Sequence, residues 1–296
     1  MIAYGCSITM DGTYRSCAEV GLGRALRPGD RVLAHAAVGS IARTYNLLLD
    51  EAAALDDLEA LVLLHQDIEL LDPRTPEIVR EALADPDVAG AGPGGAVGAR
   101  SIAWWDGEVT WASLVHRFGE LGGGDLPAPS YDAMDGTVHR EVGRVDTLYG
   151  VVLVLSPWAV RELRFDESLD QRLGYDFDLC QQARAAGRAV VTLPLAVAHH
   201  HALSLVHDPE AWAHAHARVA EKWDPEDEAG WKARARAAEG DAGGAKLLAA
   251  SRMLQAYAHA QQHDDDLLAV TASLGWRMTR PLRDAGVRRA ARRDAG

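Results

Sequence analysis

The sequence predicts an α/β domain, a mixed sheet flanked by helices, followed by a helical C-terminal region. Three observations carry this. Strand-like and helix-like patterns alternate over the first two thirds of the chain, the signature of an α/β sheet. The run Leu58 to Leu64 is apolar throughout, as in a strand buried on both faces. After Pro209, strand signals give way to a texture of Ala, Glu, Arg and His. The partition that follows is 1–207 for the α/β domain and 208–296 for a helical region with a basic tail.

Ile2 to Ile8 and Arg31 to His35 are strand-like. Ser40 is placed to cap a helix whose apolar face is Ile41, Tyr45, Leu48, Leu49 and Ala52, at helical spacing. The Leu58–Leu64 strand ends abruptly at His65-Gln66-Asp67. Thr75-Pro76 then opens a helix as N-cap and first-turn proline, and Asp87-Val88-Ala89 begins the next strand. Gly90 to Gly98 reads as a loop. Its Gly90-Ala91-Gly92-Pro93-Gly94-Gly95 matches G-x-G-x-x-G, but Ser101 to Trp105 after it reads as a strand. A dinucleotide fingerprint needs a helix there. Gly119 to Gly136 has turn composition. Val142 to Leu155 returns to strand character, Leu173 to Gly187 contains a helix ending at Gly187, and Ala189 to Leu195 is a strand leading to His199-His200-His201. Pro209 to Lys222 and roughly Glu228 to His263 read as helices.

Composition narrows the class. Of 296 residues, 48% are apolar and 25% charged, which suits a soluble globular protein. Cys6, Cys17 and Cys180 are too scattered for a disulfide framework or a zinc cluster, so buried thiols in a reducing cytoplasm are expected. The N-terminus opens on a strand without the basic flank of a signal peptide. A net charge of −13 argues against general nucleic-acid binding. The exception is a tail carrying Arg277, Arg280, Arg283, Arg288, Arg289, Arg292 and Arg293, either a solvated end or a surface for anionic partners such as a membrane.

Three polar clusters sit where buried strands end, the edge at which open α/β sheets bind ligands. They are His65-Gln66-Asp67, Asp146 and His199-His200-His201, with Asp176 at a helix start between the last two. A carboxylate and an imidazole together suit a divalent ion, and spacing does not choose among the three histidines. At a helix N-terminus the dipole favours ionised Asp176, while Leu179 and Ala183 face the core and leave it free to point into a cleft. Trp104, Trp105 and Trp111 form an aromatic cluster, and sugars stack on such faces. Adjacent Trp on a strand point to opposite sides, so one of Trp104 and Trp105 is expected in the core.

These motifs resemble glycosyltransferase family 2 and its relatives, within them a group named for a streptomycin-biosynthesis protein, over roughly residues 1–205. Ser40-Ile41-Ala42-Arg43-Thr44-Tyr45-Asn46 is similar to a family helix ending in Asn. Leu63-Leu64-His65-Gln66-Asp67-Ile68 stands where the family carries D-x-D. Phe165-Asp166-Glu167 and Gly174-Tyr175-Asp176-Phe177-Asp178-Leu179-Cys180 resemble its F-D-E and E-D-x-D-L-C signatures, and His200 with Ser204 resembles H-x-x-x-S. Two positions depart from the pattern: His65 replaces an Asp, and Tyr175 replaces a Glu.

The resemblance implies a GT-A fold, Rossmann-like, and a cytoplasmic, metal-dependent, hexosyltransferase-type enzyme with inverting chemistry. A sugar would pass from a nucleoside diphosphate sugar to a hydroxyl of a glycan, metabolite or peptide. Asp67 and His200 would hold Mn²⁺ or Mg²⁺, with His200 selected by Ser204. Asp176 would be the base. Ser7, Thr9, Asp11, Asn46, His65 and Gln66 would meet the nucleotide, and Asp146, Tyr175, Trp104 and Trp105 the donor sugar or acceptor. Two other readings compete. One is a non-catalytic sugar-nucleotide or glycan-binding module, which has no need of the base. The other is a nucleotidyltransferase, which wants a Gly- and Lys-rich phosphate loop that Met10 to Arg15 does not supply. Oligomeric state is not written in the sequence.

Overall fold

The computed structural model describes residues 1–118, 124–128, 130, 143–169, 172–200 and 209–223. The chain divides into two compact units, Met1–Ala245 and Lys246–Gly296. The second unit lies wholly outside the described residues, as do His201, Ser204, the expected helix over 228–263 and the arginine tail.

Strand β1 (Ile2–Ile8) of the first unit pairs in parallel with β2 (Arg31–Ala36) on one side and β3 (Ala60–His65) on the other. Strand β3 buries both faces, as its apolar run predicts. Val62 and Leu64 join one core cluster with Ile2, Tyr4 and Cys6, while Leu61 and Leu63 join a second with Ala3. This is the two-residue period of a strand read out on two sides. Helix α1 (Asp11–Ser16) leads into α2 (Ala18–Ala25), whose Ala18, Leu22 and Ala25 cover the first face. Helix α3 (Ile41–Ala53) covers the second with Tyr45, Leu48, Leu49 and Ala52. Ser40 caps it, its Oγ accepting the Arg43 N–H at 3.1 Å. Each fully buried leucine contributes about 1.5–3 kcal/mol through removal from water, so α3 is held by packing more than by its cap.

Beyond β3 the chain forms β4 (Ile68–Leu70), α4 (Thr75–Ala82), β5 (Val88–Gly92) and β6 (Gly94–Val97). Thr75 is the first helical residue rather than the cap, and its Oγ1 donates to the Asp72 carbonyl at 2.7 Å. The glycine-rich 90–98 segment, expected as a loop, lies mostly in strands β5 and β6, buried as far as Ala96. Its glycines serve close approach: a Cβ on Gly95 would lie 2.6 Å from the Thr147 carbonyl, and one on Gly92 3.1 Å from that of Val152. Conversely, Trp104–Asp106 is a single 3-10 turn where a strand was expected. Asp106-Gly107 ends it, with the Gly107 N–H donating to the Trp104 carbonyl at 3.2 Å.

The remaining elements are β7 (Val109–Ala112), β8 (Leu114–Arg117), β9 (Asp125–Pro127), β10 (Arg144–Val145), β11 (Thr147–Leu148), β12 (Val152–Leu155), α5 (Pro157–Glu162), α6 (Tyr175–Ala185), β13 (Ala189–Thr192), β14 (Val197–His200) and α7 (Pro209–Trp223). The main sheet runs β10-β13-β5-β12-β3-β1-β2, with β12 antiparallel to both its neighbours. Smaller sheets are β11-β6-β7 and β4-β14-β8-β9. The expected α/β class, a mixed sheet flanked by helices, is what the chain forms. The three cysteines are free and buried. No helix among the described residues is long and apolar enough to cross a membrane.

Candidate functional site

Parallel register sets the site. Ser7 on β1 lies level with His65 on β3, so the segments after these two strands emerge side by side at their carboxyl ends. A cleft of about 460 Å³ opens there, within the roughly 300–1,000 Å³ of small-molecule sites. Ser7, Thr9, His65, Gln66, Asp67 and His199 supply one part of its lining; Tyr175 and Asp176 also line it. Gln66 ties the two strand ends together. Its Oε1 accepts the N–H groups of Thr9 and Met10, each at 2.8 Å, and its Nε2 donates to Thr9 Oγ1 at 2.7 Å.

Asp67 faces a histidine of β14. The strand alternates its side chains, so neighbouring His199 and His200 part company. His199 Nε2 lies 3.5 Å from Asp67 Oδ2. His200 turns to Glu69 Oε2 at 3.1 Å, a carboxylate also held by Arg24 and Arg117. The histidine that the fold brings to Asp67 is therefore His199, not His200. Only the His200 backbone touches Asp67, donating to its carbonyl at 2.9 Å. His65 completes the group: one donor atom each from His65, Asp67 and His199 lies within 4.8 Å of the others. Two imidazoles and a carboxylate are a donor set that suits a divalent transition metal.

Burial and the neighbouring charges act on this group in opposite directions. The His65 imidazole is pushed down to about 4 by desolvation, against the attraction of Asp67, and is neutral at pH 7. Burial acts to raise the Asp67 carboxyl, but the hydrogen bond and charge of His199 outweigh it and hold the carboxyl below its ordinary value. His116, whose ring centroid is 5.5 Å from that of His199, is likewise brought down to about 4 by burial. Its Nδ1 has no hydrogen-bond partner among the described residues.

Asp176 stands in the first turn of α6, and backbone groups hold its carboxylate. Oδ2 accepts the Gly150 N–H at 2.8 Å and Oδ1 the Phe177 N–H at 2.9 Å. Desolvation nevertheless dominates and lifts the carboxyl to about 6. Gly150 admits no side chain, since a Cβ would sit 2.6 Å from Asp176 Cβ and 2.7 Å from the Tyr175 hydroxyl. Tyr175 donates that hydroxyl to the Gly150 carbonyl at 3.0 Å, and His65 Nε2 lies 2.7 Å from it. The adjacent Tyr149 hydroxyl lies 3.2 Å from His199 Nδ1.

An aromatic wall faces these polar groups. Trp104 is buried and stacks on Tyr149 at 5.2 Å, while half-buried Trp105 stacks on Trp212 of α7 at 5.2 Å and 17°. Both line the cleft, as does Trp212. Besides His200, three expected site residues fall outside the lining. Asn46 gives its amide to the Phe165 backbone, donating to the carbonyl and accepting the N–H at 2.9 Å each, and so pins that loop to α3. Asp11 is exposed and pairs with Arg15 at 3.0 Å. Asp146 accepts the Gly98 N–H at 2.7 Å and meets Arg184 at 2.9 Å. Tyr149, Gly150, His199 as the partner of Asp67, and Trp212 escaped sequence reasoning. Strand alternation over 197–200 was the available signal for separating His199 from His200; the others become neighbours only on folding.

No protein-family model matches the chain. It is similar to the streptomycin biosynthesis protein StrF of Streptomyces griseus, 28% identical over 208 residues. That match covers 68% of this chain and 66% of StrF, just under two thirds of the relative's length. Among solved structures, the mannosyltransferase PcManGT from Pyrobaculum calidifontis, in complex with GDP-Man and Mn²⁺, is 12% identical with a TM-score of 0.46, covering 94% of this chain and 81% of its own. GalNAc-T7 with UDP, GalNAc and Mn²⁺ is 10% identical, also at 0.46, covering 77% and 51%. At these scores the likeness carries no argument for activity.

Proposed function

We propose that the protein is an inverting glycosyltransferase, moving a hexosyl group from a nucleoside diphosphate sugar to an acceptor hydroxyl in the cytoplasm. The observation that carries this reading is the placement of Asp176 in the same cleft as the His65–Asp67–His199 group. A binding module needs only the second; the first is a carboxylate held ready to take a proton.

Asp67 and His199, with His65 beside them, would hold Mn²⁺ or Mg²⁺ against the diphosphate. The ion supplies Lewis-acid stabilisation of the leaving group, worth several kcal/mol of barrier. Ser7 and Thr9 line the nucleotide side, where Gln66 keeps the loop in shape. Asp176 accepts the acceptor hydroxyl's proton as that oxygen bonds to the anomeric carbon; the bond to the diphosphate oxygen breaks with its electron pair. A carboxyl near 6 is ionised at neutral pH yet more basic than an ordinary one, which strengthens general-base assistance. Trp105 and Trp212 offer an amphipathic surface to the acceptor.

The test is nucleoside diphosphate release from a panel of sugar nucleotides with glycan, metabolite and peptide acceptors. Acceptor-dependent release by wild type, lost in Asp176→Asn while donor binding persists, supports the enzyme. Binding without release by wild type under any acceptor returns the protein to a binding module.

A further inference from the structure

The two departures from the family pattern touch each other. His65 stands where an Asp is usual and Tyr175 where a Glu is usual, and His65 Nε2 lies 2.7 Å from the Tyr175 hydroxyl. A tyrosine hydroxyl has one proton, and Tyr175 gives it to the Gly150 carbonyl at 3.0 Å. With that proton directed at the carbonyl, the hydroxyl oxygen accepts from His65. His65 then holds a proton on Nε2, and Nδ1 is the nitrogen left to offer a lone pair. A histidine oriented through one nitrogen by a neighbour, with the other nitrogen bare, is the arrangement found at metal ligands. Gly150 leaves room for this hydroxyl, since a Cβ there would lie 2.7 Å from it.

We propose that Tyr175 fixes the tautomer of His65 and so makes it a third metal ligand, giving a two-nitrogen, one-carboxylate site that selects nitrogen-seeking divalent ions of the Co²⁺ and Zn²⁺ class over Mg²⁺. This rests on the metal-assisted reading above and sharpens it. Imidazole donors suit the later transition metals, whereas an all-oxygen set suits Mg²⁺ and Mn²⁺. Histidine in place of aspartate at position 65 raises the set from one nitrogen and two carboxylates to two nitrogens and one carboxylate, a shift toward the nitrogen-seeking ions, and Tyr175 is the positioning residue for it.

The test uses the full-length protein and the metal ions alone. Co²⁺ and Mg²⁺ affinities are measured by calorimetry, and the Co²⁺ visible absorption is recorded for wild type, His65→Asp and Tyr175→Phe, each checked for native circular dichroism. Wild type should prefer Co²⁺. Tyr175→Phe should weaken Co²⁺ binding by about 10–100-fold, the usual cost of losing a ligand's orienting partner, and alter its spectrum. His65→Asp should shrink the Co²⁺ over Mg²⁺ preference by about tenfold or more. Should one variant lose its fold, the other decides alone. Affinities and spectra unchanged from wild type in the folded variants overturn the proposal while leaving Asp67 and His199 in place. Failure of wild type to bind Co²⁺ also overturns it; a nucleotide-dependent response to Mn²⁺ would then still support glycosyl transfer.

Discussion

Asp176 owes its character to a conflict between two forces acting on one carboxylate. Backbone N–H groups from Gly150 and Phe177 favour the charged form, burial opposes it, and burial wins, placing the group near 6 instead of its ordinary 3.8. If this is the base, kcat should fall on the acid side with an apparent pKa near 6. Asp176→Asn should abolish that limb and lower kcat by about 10²–10⁴-fold. Stability should move the other way. A carboxyl raised in the folded state destabilises the fold when ionised, fully above about pH 6 and progressively less as pH falls toward 3.8. Asp176→Asn should therefore raise Tm at pH 8, with the gain gone near pH 4; a lower Tm at pH 8 contradicts this balance. The first-turn position of Asp176 was legible in the sequence, which marks a helix ending at Gly187; its role as base came only from the family resemblance. The identity of the histidine beside Asp67 was not legible, because two adjacent histidines differ only in which side of a strand they take, and 197–200 had not been read as a strand.

Helix α6 carries Asp176 at one position and Asp178 two residues on, and the two serve different ends. Asp178 is fully buried, accepting from Gln182 Nε2 and Trp223 Nε1 at 2.8 Å each and pairing with Lys222 at 2.7 Å. Lys222 also reaches Asp166 at 2.7 Å. Together with the packing of Phe177 against Trp212 and Val219, this fastens α7 to α6 and sets Trp212 against Trp105. Removing one partner of a buried charge pair costs about 3–5 kcal/mol, here at the low end because Lys222 is about a third exposed. Asp178→Ala should lower the urea midpoint accordingly and speed hydrogen exchange in α7 while β1 and β3 stay protected. Trp212→Ala should spare donor binding and raise the acceptor KM several-fold, consistent with about 0.5–1.5 kcal/mol for an aromatic contact; an unchanged acceptor KM removes α7 from the site. The helices themselves were readable from their spacing and end signals. The Asp178–Trp223 bond spans 45 residues, and no local pattern announces such a partner. The glycine-rich strands β5 and β6 were misread for a related reason: their glycines answer to the Thr147 and Val152 carbonyls, which sequence does not place beside them.

Across the whole molecule, the α/β class followed from alternation and from one doubly buried strand, because both are properties of the chain itself. The cleft is a property of the assembled sheet. Parallel β1 and β3 end together, antiparallel β12 lies on the other flank of β3, and β14 of a separate sheet brings His199 across to Asp67. Polar groups on one part of the lining and Trp105 with Trp212 on another then give a single opening two unlike partners, a charged leaving group and a ring. The central claim is that this opening binds a nucleoside diphosphate through a divalent ion. A thermal-shift screen of nucleoside diphosphates with and without Mn²⁺ tests it most directly. One nucleotide should stabilise wild type only when the ion is present, by about 2.7 kcal/mol at a hundredfold excess over Kd, and Asp67→Asn should erase the response. No shift with any nucleotide, or the same shift in Asp67→Asn as in wild type, would contradict it.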